Sequence, residues 1–276
     1  MRTLGIIIGC YKSGTTSLYR YLTQHPDISE CVEKEPNFFA SDENYQRGFD
    51  WYQSLWEGDG EVFLEGTTLY TWHPVMPNAA ERIKSVEGKA DFRFIYIMRD
   101  PIDRAESHIK FSASRGYVNS KDPLQNPWLM EVSRYAKQLD EYESRFGREQ
   151  IHLTTLEELE ETPRKVLRRI CNFLGVSPEF EFDVGTKHNQ TKDRVVPGEF
   201  WRRLRRLNWL RRLWRTVPMD YRGTLRRWVN PKAEEAGEDY SLTAEQRRRF
   251  IAALEDDLRR LEDFYGVDTS RWNLSP

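Results

Sequence analysis

The chain is poor in cysteine: 276 residues hold three, Cys10, Cys31 and Cys171. The number is odd, and the spacing fits neither a zinc site nor a disulfide framework, so a reducing compartment is expected. No cluster of His, Cys, Asp and Glu has metal-ligand spacing, and no metal is expected. No apolar run approaches the roughly 18 residues that a membrane-spanning helix needs. The first apolar segment begins at Leu4, which leaves no room for a charged and apolar leader. Internal repeats and low-complexity segments are also missing. Net charge is only −2, so the chain as a whole gives no reason to expect nucleic acid as a partner. These absences describe a cytoplasmic globule, and the length suits one α/β domain over 1–276 with room for an appendage.

What is present is organised around residues 4–17. Leu4, Ile6, Ile7 and Ile8 form a short apolar, β-branched run, the pattern of a buried parallel strand. A small-residue turn follows from Gly9 to Ser17, and then Leu18, Tyr21 and Leu22 recur at helical spacing. Strand, loop and helix in this order place backbone N–H groups at a helix N-terminus, where an anion is favoured. Lys12 adds a point charge. Ser13, Gly14, Thr15, Thr16 and Ser17 add close backbone approach and hydroxyl donors. Cys10 reads as a small buried residue beside this loop.

A nucleoside-triphosphate loop fits badly. That motif needs its lysine after the second glycine, whereas Lys12 precedes Gly14. The order K-S-G-T-T-S resembles the 5′-phosphosulfate loop of sulfotransferases, which use 3′-phosphoadenosine 5′-phosphosulfate (PAPS) as donor and release 3′-phosphoadenosine 5′-phosphate (PAP). Lys34-Glu35-Pro36-Asn37-Phe38-Phe39 is similar to the K-E-x-x-F-F segment of the heparan-type enzymes, with Asn37 where some relatives carry histidine. The resemblance implies that Glu35 is the catalytic base. Read from the residues alone, Glu35 fits a surface ion pair with Lys34 equally well. Glu65-Gly66-Thr67-Thr68-Leu69-Tyr70 resembles the family's E-x-[ST]-P-x-Y, with Thr68 in place of proline. His73 follows it and is a reserve base; His108 is a further alternative.

The run at 92–98 reads as a strand ending in Arg99-Asp100-Pro101, where proline opens a helix. R-D-P-x-x-R-x-x-S resembles the motif with which sulfotransferases hold the 3′-phosphate, implying that role for Arg99 and Ser107. Further strands are expected at 62–64 and 151–154. Helices are expected at 44–57, 123–146 and 163–174. Lys187, His188 and Asn189 lie in a basic loop similar to one that closes over the nucleotide in relatives. Residues 195–230 form a basic, aromatic helical insertion or appendage, rich in arginine with only Glu199 and Asp220 as acids between 199 and 228. Three readings stand for it: a packed helix, contact with a membrane surface, or contact with an anionic acceptor or nucleic acid. A C-terminal helix is expected over 241–266, capped by Thr243 with Gln246, and with Phe250, Leu254, Leu258, Leu261 and Phe264 as its apolar stripe.

Alternating strands and helices point to a central parallel sheet flanked by helices. The resemblance, nearest to heparan-type and bacterial carbohydrate sulfotransferases, implies the P-loop-like sulfotransferase fold. It also implies sulfuryl transfer from PAPS to an acceptor hydroxyl, or less readily an amine. The setting would be a cytoplasmic, bacterial enzyme, peripheral to a membrane if 199–228 binds one, or a trimmed catalytic domain. Sugar, lipid and small-molecule acceptors are all compatible, and no oligomeric state is specified. The rivals are a P-loop-like nucleotide kinase and a non-catalytic, membrane-associated binding protein on the same fold.

Overall fold

Alternation along two central strands decides how the sheet is covered. In a computed structural model, which describes residues 2–115, 122–185 and 240–274, Leu4, Ile6 and Ile8 of β1 (Thr3–Gly9) join one apolar cluster. Ile7 joins another. β4 (Asp91–Met98) divides likewise, with Phe94, Tyr96 and Met98 on the first side and Ile95 and Ile97 on the second. Side chains alternate across a strand, so both strands are covered on both faces, as parallel central strands require.

The sheet has five parallel strands in the order β2-β3-β1-β4-β5, with β2 at Ile28–Glu30, β3 at Val62–Gly66 and β5 at Ile151–Thr155. One face is packed by α1 (Thr15–Leu22), α8 (Leu156–Glu161) and α9 (Pro163–Leu174). The other is packed by α5 (Pro101–Arg115), α6 (Pro127–Ser133), α7 (Tyr135–Phe146) and α10 (Ala244–Asp263). The connection leaving β1 runs toward β2, and the one leaving β4 runs toward β5. These neighbours therefore diverge at their carboxyl ends, where open α/β sheets hold their ligands.

Several expectations need correction. The helix over 44–57 is two short pieces, α2 (Asp42–Tyr45) and α3 (Phe49–Gln53), separated at Gly48, whose φ is 85°. The helix over 123–146 is a 3-10 turn, α6 and α7. The break falls at Arg134, because Asp257 of α10 accepts the N–H groups of Ala136 and Lys137 at 3.1 and 2.9 Å and so caps α7 from outside. A tertiary cap of this kind restarts a helix that periodicity alone would continue. Phe264 is exposed, packed on Arg260, and Tyr265 enters the core in its place. The edge strand β2 and helix α4 (Ala79–Ser85) were not anticipated. The Thr243–Gln246 capping box is formed as expected. All three cysteines are free and buried, and burial pushes the Cys10 thiol up to about 11. Among the described residues no helix is long and apolar enough to cross a membrane. Residues 187–189 and the basic segment 195–230 lie outside the described residues.

Candidate active site

The loop after β1 is built for close approach. A Cβ on Gly9 would lie 2.0 Å from the Tyr96 ring, and one on Gly14 would lie 2.6 Å from Leu156 Cδ1. Gly14 also sits at φ 83° and opens α1 with no side-chain cap; Ser17 N–H bonds Gly14 O at 3.0 Å, which leaves the N–H groups of Thr15 and Thr16 at the helix start. A left-handed glycine followed by an uncapped helix start is a fit for an anionic oxygen. Lys12 lies at φ 72°, and its Nζ stands 4.6 Å from the centre of the Phe111 ring on α5. Ser13 is fully buried, as is Cys10, and its N–H closes the turn onto Cys10 O at 3.1 Å.

The loop touches the Glu35 segment on one side and helix α5 on the other. Lys34 Nζ donates to Thr16 Oγ1 at 2.7 Å, joining the segment that carries Glu35 to the first turn of α1. Glu35 itself is held at φ 59° and Asn37 at φ 53°. Asparagine side chains occupy the carbonyls here: Asn37 Nδ2 donates to Glu35 O at 2.7 Å, and Asn44 Nδ2 to Pro36 O at 2.8 Å. Phe38 and Phe39 are fully buried behind it. Non-glycine residues at positive φ persist only where the surroundings over-determine them, and they gather at functional sites.

On the other side, the Tyr11 ring lies 4.7 Å from His108 and 5.5 Å from Trp72. Arg99 ends β4 and donates to Asp103 at 2.9 Å, while Asp100 caps α5 through the N–H groups of Ile102 and Asp103. Ser107 is buried one face along the same helix. Arg104 is structural: wholly buried, it donates to Leu129 O at 3.1 Å and to Ser133 Oγ at 2.5 Å and so ties α5 to α6. Burial, with the positive charges of Arg104 and Lys12, pushes His108 down to about 3. Its Nδ1 lies 3.3 Å from Arg104 Nη1, so as a base near neutral pH it is weak. Gln138 brackets the His73 backbone at 3.0 and 2.7 Å, and the His73 ring lies 3.6 Å from Glu141.

A residue given no chemical role above completes the site. Glu65, at the end of β3, is wholly buried. Its carboxylate accepts from Tyr52 at 2.6 Å and from Thr67 at 3.0 Å. Burial outweighs these donors and pushes Glu65 up to about 7, with the Glu35 charge adding to the rise.

A family model described as "Sulfotransferase domain" matches residues 3–195. The chain belongs to the sulfotransferase family. A mouse heparan sulfate glucosamine 3-O-sulfotransferase 3A1 is 31% identical over 201 residues, 68% of this chain and 49% of that protein. A bifunctional heparan sulfate N-deacetylase/N-sulfotransferase 1 from Caenorhabditis briggsae is 26% identical over 213 residues, 68% of this chain and 24% of that protein. The chain thus spans a quarter to a half of the length of these curated relatives. The crystal structure of a sulfotransferase from Alicyclobacillus acidocaldarius superposes with a TM-score of 0.66 at 25% identity, covering 99% of both chains.

In this member of the family, the sequence named the loop, Glu35 and Arg99 as candidates and gave Glu65 no role. Glu65-Gly66-Thr67-Thr68 by itself carries no sign of that burial. The threonine that stands where relatives carry proline, Thr68, begins a turn (Thr68–Thr71) whose Thr71 hydroxyl donates to Ile8 O at 2.7 Å, tying the end of β3 to β1. The raised Glu65 has a measurable consequence. Between about pH 4.5 and pH 7 the folded protein retains a proton that the unfolded chain releases, so stability falls as pH rises through that window. The loss expected from this group is about 3 kcal/mol. Urea denaturation at pH 5 and pH 8 checks it, since Glu65→Gln should flatten that part of the profile.

Proposed function

We propose that this chain transfers the sulfuryl group of PAPS to an acceptor hydroxyl, with a sugar hydroxyl the first class to test. The observation that carries this reading is the Lys34–Thr16 hydrogen bond, which puts the Glu35 segment against the anion loop. The heparan sulfate relatives support a sugar acceptor.

The roles follow from the chain's own groups. Bound in the loop, PAPS would supply the sulfuryl group, with its 5′-phosphate against Lys12, Gly14, Thr15, Thr16 and Ser17. As the S–O bond to that phosphate breaks, negative charge grows on the bridging oxygen, and Lys12 with the open N–H groups of α1 stabilises it. Glu35 takes the proton of the acceptor hydroxyl as its oxygen bonds to sulfur from the opposite side. Arg99 and Ser107 hold the 3′-phosphate and fix the donor in line. Ser13 contributes through the turn it closes. His73, partly exposed beside Glu141, stays a candidate on the acceptor side.

If Arg99 and Ser107 read the 3′-phosphate, PAP should bind at least about tenfold more tightly than adenosine 5′-phosphate, since a charge-assisted contact contributes about 1.5–3 kcal/mol. Titration calorimetry with both nucleotides measures this. Equal affinities would falsify the 3′-phosphate assignment.

A further inference from the structure

A ring behind the Glu35 turn ends on a buried carboxylate. Tyr52 donates its hydroxyl to Glu65 at 2.6 Å, and its ring stacks on Phe38 with centroids 4.5 Å apart and planes 13° from parallel. The Tyr52 ring also meets Phe39 edge-on with centroids 5.1 Å apart, and the Tyr70 hydroxyl oxygen accepts the N–H of Phe39 at 3.2 Å. Tyr52 is thus fixed at its tip by Glu65 while its ring touches both Phe38 and Phe39, and Tyr70 holds Phe39 from the other side.

We propose that Glu65 is a positioning residue for Glu35: by accepting the Tyr52 hydroxyl it fixes the ring that packs on Phe38 and Phe39, and through that anchor the left-handed turn that presents the Glu35 carboxylate. A hydrophobic residue in this place could fill the space but could not orient the Tyr52 phenol. Keeping a carboxylate in a wholly buried position costs stability, and such costs are retained where a polar group specifies a geometry. The titratable groups around Glu65 are Tyr52 on α3, Tyr70 after β3, Tyr142 on α7, Tyr19 on α1, Cys31 after β2 and Glu35 itself, all of them acids. Its charge state therefore changes near neutral pH, and the strength with which it holds the Tyr52 phenol changes with it.

The inference rests on Glu35 as the base, and the experiment separates the two. Wild type, Glu65→Gln, Tyr70→Phe and Glu65→Ala are compared in three measurements. These are amide hydrogen exchange at Phe38 and Phe39, PAP affinity, and single-turnover transfer from labelled PAPS to a heparan sulfate oligosaccharide from pH 5.5 to 9. Glu65→Gln and Tyr70→Phe should each speed exchange at Phe39 by about tenfold or more. Glu65→Gln should also lower the transfer rate by at least about tenfold and remove the ionisation near pH 7 from the rate profile. PAP affinity should stay within about twofold. Wild-type protection at Phe39 in the glutamine variant would overturn the proposal. So would a uniform rise in exchange across the whole chain, since that describes a general core residue. If Glu65→Ala does not fold, the other two variants decide. Local loosening at Phe39 with no transfer even by wild type would remove the base assignment, and with it the role of Glu65 in catalysis.

Discussion

Replacing Glu35 with glutamine should lower single-turnover sulfuryl transfer by about 10²–10⁴, the usual scale for loss of a general base. Glutamine keeps the size of the side chain but cannot accept the acceptor's proton. Donor binding should be unchanged, because the contact between this segment and the anion loop is made by Lys34 and Thr16, not by Glu35. The fold should also hold. The turn is fixed by backbone and aromatic contacts (Asn37 on Glu35 O, Asn44 on Pro36 O, Phe38 and Phe39 in the core) that do not use the carboxylate. PAP titration beside the transfer assay separates the outcomes. A glutamine variant that transfers normally while His73→Ala is dead moves the base to His73. A glutamine variant that no longer binds PAP makes Glu35 a support of the loop.

Lys12→Ala should cost about 10²–10³ in turnover, the effect of removing one donor from a site of developing negative charge. Its melting temperature should barely move. Lys12 sits at φ 72° on a half-buried loop, and alanine inherits the same strained backbone while giving up the ring contacts with Phe111 and Tyr11. Lys12→Gly sharpens the point. Relief of the positive φ should raise stability by about 1 kcal/mol, while turnover falls as far as in the alanine variant. A stabilised but inactive glycine variant identifies strain kept for function. If both variants turn over like wild type, the lysine does not act on the leaving group.

The parts that were legible in the sequence share a cause: their signals are local. Four apolar residues before a glycine-rich turn define β1, and Lys12 and Gly14 announce the loop within five positions. Pro36 and the two phenylalanines mark a pinned segment without any knowledge of its partner. Arg99 follows an apolar strand and precedes a helix-opening proline. The parts that were not legible depend on residues far along the chain. The break at Arg134 is set by Asp257 on another helix. Glu65 is buried where the hydroxyl of Tyr52, 13 positions earlier, reaches its carboxylate. Written as E-G-T-T, the same residue reads as the start of a solvated turn. Arg104 looks as available for phosphate as Arg99, and only the wholly buried contacts to Leu129 and Ser133 distinguish them.

The most direct test of the central claim follows the sulfuryl group itself. Sulfur-labelled PAPS is mixed with the protein and a panel of sugar, lipid and phenolic hydroxyl acceptors in a rapid quench, with product and PAP quantified together. The structure predicts label on one acceptor class, one PAP formed for each label transferred, and both lost together in Glu35→Gln. Phosphoryl transfer from ATP with no movement of label from PAPS to any acceptor would contradict it.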